Sequence, residues 1–148
     1  MTRTHVHEEV LAASPEAVFS LLHTPSAIRQ WWSAARAIVL PEPGGIWAAA
    51  WGENEDDPDY VTVAAIRVFD APRRLLLDDY RYYSKDGPLP FDAEFTTEFV
   101  VSPHPDGAVL KVAQHGFPSG PEGDEYYADC QKGWEITFQG IVEFLQAT

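Results

Sequence analysis

The sequence predicts an α+β domain in which a curved antiparallel sheet of about seven strands wraps around one long C-terminal helix. Three observations lead there. Short β-branched or alternating segments follow one another through the middle of the chain, separated by tight turns. The C-terminal stretch carries one apolar stripe at three- and four-residue spacing, the mark of an amphipathic helix. That helix is the one long element able to cover a sheet face, so the sheet must curl around it.

Residues 6–12 read as a first strand, with the β-formers Val6 and Val10 among polar neighbours. Ser14-Pro15-Glu16 then starts a helix: Ser14 suits the N-cap, Pro15 the first helical position, and Glu16 the positive end of the helix dipole. Val18, Leu21 and Leu22 continue it at helical spacing, Thr24-Pro25 breaks it, and residues 26–32 form a second short helix. Strands are expected over residues 37–40, 46–51, 61–69, 74–83, 91–101 and 109–115, divided by Pro/Gly turns and an acidic loop at 52–59. Phe91, Ala93, Phe95, Thr97 and Phe99 alternate onto one face. Short connections imply hairpins, hence antiparallel pairing. After a loop at 118–123, a helix is expected from 124 to 145, its stripe formed by Tyr127, Cys130, Trp134, Phe138, Ile141 and Leu145. Gly133 and Gly140 each cost roughly 1 kcal/mol in a helix interior, so close packing is the expected reason for them.

The 148 residues fit one domain, 1–148. Aromatic residues make up 13% of the chain, more than a minimal core requires. Lys plus Arg total 10 against 23 Asp plus Glu, a formal net charge of -13. This acidic surface repels phosphate backbones and anionic lipid heads, so neither nucleic-acid nor membrane-surface binding is expected. The lone cysteine, Cys130, precludes an internal disulfide. The N-terminal residues lack the apolar core of a secretory signal, and no apolar run approaches the ~20 residues needed to span a bilayer. The expectation is a cytoplasmic monomer or homodimer without membrane insertion.

Four stretches then point to a family. They are Ser14-Pro15-Glu16-Ala17-Val18-Phe19; Ile28-Arg29-Gln30-Trp31-Trp32; Pro43-Gly44-Gly45-Ile46-Trp47; and Leu110-Lys111-Val112 with Gly116-Phe117 and Gly133-Trp134. In this order the chain resembles the START-like (SRPBCC) superfamily, the helix-grip fold. Within it, the chain is most similar to the activator of heat shock protein 90 ATPase homologue-like family. The chain departs from the pattern where Tyr60-Val61-Thr62 replaces the glycine opening the fourth strand, and in its acidic 53–59 loop. The resemblance implies the fold and a cavity between sheet and helix; it does not imply one activity, because such folds host many.

The aromatic excess supplies the candidate site. Trp31 and Trp32 close the second helix, Trp47 and Trp51 share a strand face, and Trp134 and Phe138 lie on the helix stripe. Phe95 and Thr97 share one face, as do Tyr80 and Tyr82, and Gln114 shares parity with Leu110 and Val112. With Phe117, these residues make up the expected ligand-binding set. A buried Gln, Thr or Tyr needs a polar partner, and a ligand could be one. His5 and His7 share a face, but no third metal ligand is evident and exposure at a strand end is expected. The acidic loop lacks the spacing of a calcium site, and adjacent Asp78 and Asp79 point to opposite faces. Cys130 sits on the buried stripe, where thiols are inert. No metal, cofactor or catalytic residue is assigned.

The reading is therefore a domain that binds a small hydrophobic or aromatic ligand, lipids included. A cyclase- or aromatase-type enzyme working in the same cavity is one alternative. A co-chaperone-like interaction module using the outer sheet face is the other.

Overall fold

The computed structural model describes residues 2–89 and 93–147. Strand β1 (Thr2–Leu11) is followed by helices α1 (Pro15–Leu21) and α2 (Pro25–Trp31). Then come β2 (Arg36–Val39), β3 (Ile46–Trp51), β4 (Tyr60–Asp70), β5 (Arg74–Ser84), β6 (Thr96–His104), β7 (Gly107–Pro118) and helix α3 (Pro121–Ala147). The strands form one seven-stranded antiparallel sheet in the order β1-β7-β6-β5-β4-β3-β2. Sequence neighbours from β2 to β7 pair directly, as short connections dictate.

The expected order of elements is the observed one, with shifted bounds. β1 begins at Thr2 because its ladder with β7 continues past Gln114 to Pro118. β6 begins at Thr96, where its ladder with β7 starts opposite His115, and its ladder with β5 joins only Arg74–Leu77 to residues 97–100. Phe91 lies outside the described residues, and the alternation read through Ala93 and Phe95 is regular strand only from Thr96.

The sheet's curvature comes from three bulges, each of which also reverses side-chain parity. In β5, Ala65 faces Asp78 while Val63 faces Arg81, so β5 carries one extra residue, and Asp79 there takes φ 53°. Leu75 and Leu77 are buried, and unbroken alternation would turn Asp79 and Arg81 inward; the bulge turns Tyr80 and Tyr82 inward instead. In β7, His5 faces Gln114 and Arg3 faces Phe117, so the extra residue falls near Gly116, at φ 101°. Phe117 thereby follows Leu110, Val112 and Gln114 into the interior. A third bulge, in β4 between Ile66 and Val68, lets Phe69 reach Phe19 at a ring distance of 5.5 Å.

α3 lies in the concave face, burying Trp134, Thr137, Phe138 and Ile141. These meet a core that includes Leu11, Phe19, Ile28, Leu75 and Val112. α1 starts where expected, with Ser14 Oγ accepting the Ala17 N–H at 3.2 Å. The two α3 glycines differ in role. A methyl group at Gly140 would overlap the Trp31 carbonyl oxygen, so α2 and α3 touch through the missing side chain. A methyl group at Gly133 would meet open space. One substitution should therefore have opposite signs at the two sites. Gly140→Ala is expected to lower stability by roughly 1–3 kcal/mol through overpacking. Gly133→Ala is expected to raise it by up to about 1 kcal/mol through helix propensity. Urea midpoints of the two variants check both signs.

The acidic loop after β3 is held by ion pairs of Glu55 with Arg36 and of Asp59 with Lys85, the latter at 3.1 Å. Such exposed pairs contribute little to stability. Among the described residues, no helix is long and apolar enough to cross a membrane.

Candidate functional site

Between the inner face of the sheet and the first half of α3 lies a pocket of about 230 Å³. Four of the chain's five tryptophans line it: Trp32, Trp47, Trp51 and Trp134. Trp32, at the end of α2, is their hub, with ring centroids 5.6 Å from Trp47, 5.6 Å from Trp51 and 5.5 Å from Trp134. Backbone carbonyls fix the two strand indoles. Trp47 Nε1 donates to the Leu22 oxygen at 2.9 Å, and Trp51 Nε1 donates to the Trp32 oxygen at 3.1 Å. These bonds consume the indole N–H groups and leave apolar ring surface for the pocket.

Opposite this wall, polar side chains form a connected floor. Trp134 Nε1 donates to Gln114 Oε1 at 3.0 Å, Gln114 Nε2 donates to Thr97 Oγ1 at 3.3 Å, and Tyr80 OH donates to Thr97 Oγ1 at 2.6 Å. The mouth carries Tyr82, which is 43% exposed and so meets solvent and pocket together. Tyr126 and Cys130 of α3 line the space nearby and hydrogen-bond each other. Burial pushes the phenol of Tyr80 well above its ordinary range, only partly offset by the bond to Thr97. Burial likewise raises Tyr126, and pushes the Cys130 thiol up to about 11. All three keep their protons at neutral pH. Among the described residues, no Asp, Glu, Lys, Arg or His lines the pocket.

Of the expected set, Trp32, Trp47, Trp51, Tyr80, Tyr82, Phe95, Thr97, Gln114 and Trp134 lie on this lining. Trp31, Phe117 and Phe138 do not; they stand behind it as core. Trp31 stacks on Trp32 at 5.1 Å and spends its indole N–H on the Leu21 carbonyl. Phe117 packs against His5 and Phe95, and Phe138 against Trp134. The sequence reading of the set missed Thr62, Leu77, Phe99, Tyr126, Cys130, Gly133 and Thr137. Five of these carried a legible signal: Phe99 shares a strand face with Phe95 and Thr97, and positions 126, 130, 133 and 137 fall at helical spacing along one side of α3, Cys130 being also on the apolar stripe.

The first-strand histidines correct an expectation. His5 is not exposed but 3% accessible, between the rings of Phe117 and Tyr127. Its Nδ1 meets His7 Nε2 at 3.0 Å, and its own Nε2 is buried without a partner. The reason is strand parity: the ladder with β7 runs unbroken from Leu11 to His5, so His5 faces inward with buried Leu11, and Phe117 and Tyr127 close over its ring. Among the described residues, no group of three His, Cys, Asp or Glu side chains could hold a metal ion.

A sheet curled around one long helix, with a pocket between them, defines a helix-grip domain of the START-like class. The chain belongs to the Activator of Hsp90 ATPase homolog 1-like protein family, whose model matches residues 12–146. The fold is similar to that of protein MLL2253 from Mesorhizobium loti, at 22% identity and a TM-score of 0.79, covering 99% of this chain and 98% of that one. It is similar also to a Rhizobium leguminosarum protein, at 17% identity and a TM-score of 0.79, covering 100% and 97%. CalU16 from Micromonospora echinospora has 18% identity and a TM-score of 0.69, over 97% and 76% of the two chains. No curated protein matches the sequence.

Proposed function

We propose that this chain is a binding domain for a small, uncharged hydrophobic or aromatic ligand held in the tryptophan-lined pocket. The observation that carries this reading is the lining itself, in which large rings converge on open space and charged side chains are absent among the described residues. Apolar burial between such rings supplies affinity at roughly 25 cal/mol per Å² removed from water. The volume of about 230 Å³ lies below the roughly 300–1,000 Å³ of drug-sized sites, so the occupant has one or two rings. The protonated states of Tyr80, Tyr126 and Cys130 suit hydrogen-bond donation and leave these groups unable to act as general bases at neutral pH. That favours binding over the cyclase-type reading.

Titration with 2-naphthol, read by energy transfer from tryptophan, tests the reading. Saturable quenching is expected, and Gly133→Leu, which projects a side chain into the open space at Gly133, is expected to weaken it at least tenfold. Equal quenching of both proteins, or a pocket that neither quenches nor retains an adduct in native mass spectrometry, would refute it.

A further inference from the structure

The polar floor of the pocket has a hydrogen-bond imbalance that restricts the chemistry of its ligand. This inference rests on the binding reading above and narrows it. An indole N–H can only donate, so Trp134 Nε1 fixes the amide of Gln114 with its oxygen toward Trp134. The Gln114 NH₂ must then face Thr97, and the Thr97 oxygen accepts one of its two hydrogens. Tyr80 and Thr97 share one further bond, 2.6 Å long. Whichever of the two hydroxyls donates it, the other hydroxyl hydrogen remains unspent. So does the second amide hydrogen of Gln114. Among the described residues neither hydrogen has an acceptor.

The other two threonines of the pocket do not remove the imbalance. Thr137 Oγ1 spends its hydrogen on the Gly133 carbonyl at 2.8 Å. Thr62 is half-buried and pairs across the sheet with the exposed Tyr82, at the wet end of the pocket. The deep end, where Thr97 is 2% exposed, therefore offers two donors and holds no charge. A buried donor without a partner is costlier than an oxygen with a spare lone pair. We infer that the ligand is a neutral aromatic carbonyl compound, a ketone or aldehyde of one or two rings. Its oxygen would accept from Gln114 and from the Tyr80–Thr97 pair, and its ring system would lie among the tryptophans. An anion would meet no cationic side chain there, and a cation would meet donors instead of acceptors.

Isothermal titration calorimetry with two near-isosteric probes isolates the carbonyl. 2-Acetylnaphthalene and 2-isopropenylnaphthalene differ in C=O against C=CH₂, with matched rings and shape. The wild-type protein is expected to bind the ketone roughly tenfold more tightly, the factor that one net hydrogen bond supplies. Gln114→Glu, ionised at pH 9, turns the floor into an acceptor and is expected to erase that preference, with near-ultraviolet circular dichroism confirming the fold. Equal affinity of the wild-type protein for the two probes would overturn the carbonyl assignment while leaving the binding reading intact. Tighter binding of phenyltrimethylammonium than of the ketone would overturn it in favour of a cation held on ring faces. Binding of none of the probes would overturn the binding reading and the assignment together.

Discussion

Gly116→Ala is expected to lower the free energy of unfolding by roughly 3–5 kcal/mol, combining backbone strain with steric overlap. The residue takes φ 101°, a conformation L side chains rarely adopt, at the point where β7 gains its extra residue. A methyl group there would also overlap the Glu94 carbonyl oxygen, which is backbone and cannot swing aside. Relief would require flattening the bulge, and flattening it would return Phe117, now fully buried, to the outer face. The loss is large against a typical total stability of about 5–15 kcal/mol. Gly44, at φ 85° in the turn before β3, has nothing near its missing side chain. Asparagine tolerates left-handed backbone, so Gly44→Asn is expected to cost about 1 kcal/mol or less. Gly116→Asn should remain severe because the overlap persists. Urea-unfolding midpoints of the three variants separate the two causes. Similar small losses at both positions would show that Gly116 is required for neither reason.

The same bulge marks the boundary of what could be read from residues alone. Element type and order were legible, because periods of 2 and 3.6 distinguish strand from helix without knowledge of partners. The α3 stripe and the Ser14 cap are local patterns, and the structure carries both. Side-chain direction beyond a bulge was not legible in the same way. Alternation from Leu75 and Leu77 would make Asp79 an inward residue, and alternation from Gln114 would make Phe117 an outward one. An extra residue is visible only as a mismatch between two strands, so a single strand does not reveal it. The Tyr80–Tyr82 pair entered the expected set as aromatics sharing a face; the bulge at Asp79 is what turns that face toward α3. Separating the pocket wall from the core behind it also needed the third dimension. Trp31 and Trp32 are adjacent in sequence, yet one anchors α2 to the Leu21 carbonyl and the other lines the open space.

Acid is expected to destabilise this protein through His5. The ring is buried among Phe117, Tyr127 and His7, and that desolvation, followed by the repulsion of a charged His7, lowers its pKa from 6.5 to about 4. The unfolded chain thus binds a proton on this residue at a pH where the folded protein does not. Stability from this source is complete above pH 6.5, declines as the pH falls from 6.5 to 4, and levels off below. At 1.36 kcal/mol per pKa unit the loss over that window is about 3 kcal/mol. His7 and His23, also lowered chiefly by burial, act in the same direction, while Glu135 partly offsets the shift at His7. His5→Phe keeps an aromatic ring beside Phe117 and Tyr127, and removes both the titration and the unpartnered Nε2. It gives up only the bond to His7. Its urea midpoint should therefore fall less steeply than that of the wild type between pH 6.5 and 4, with the residual slope set by His7 and His23. Parallel curves for the two proteins would mean that the buried ring is charged in the folded state.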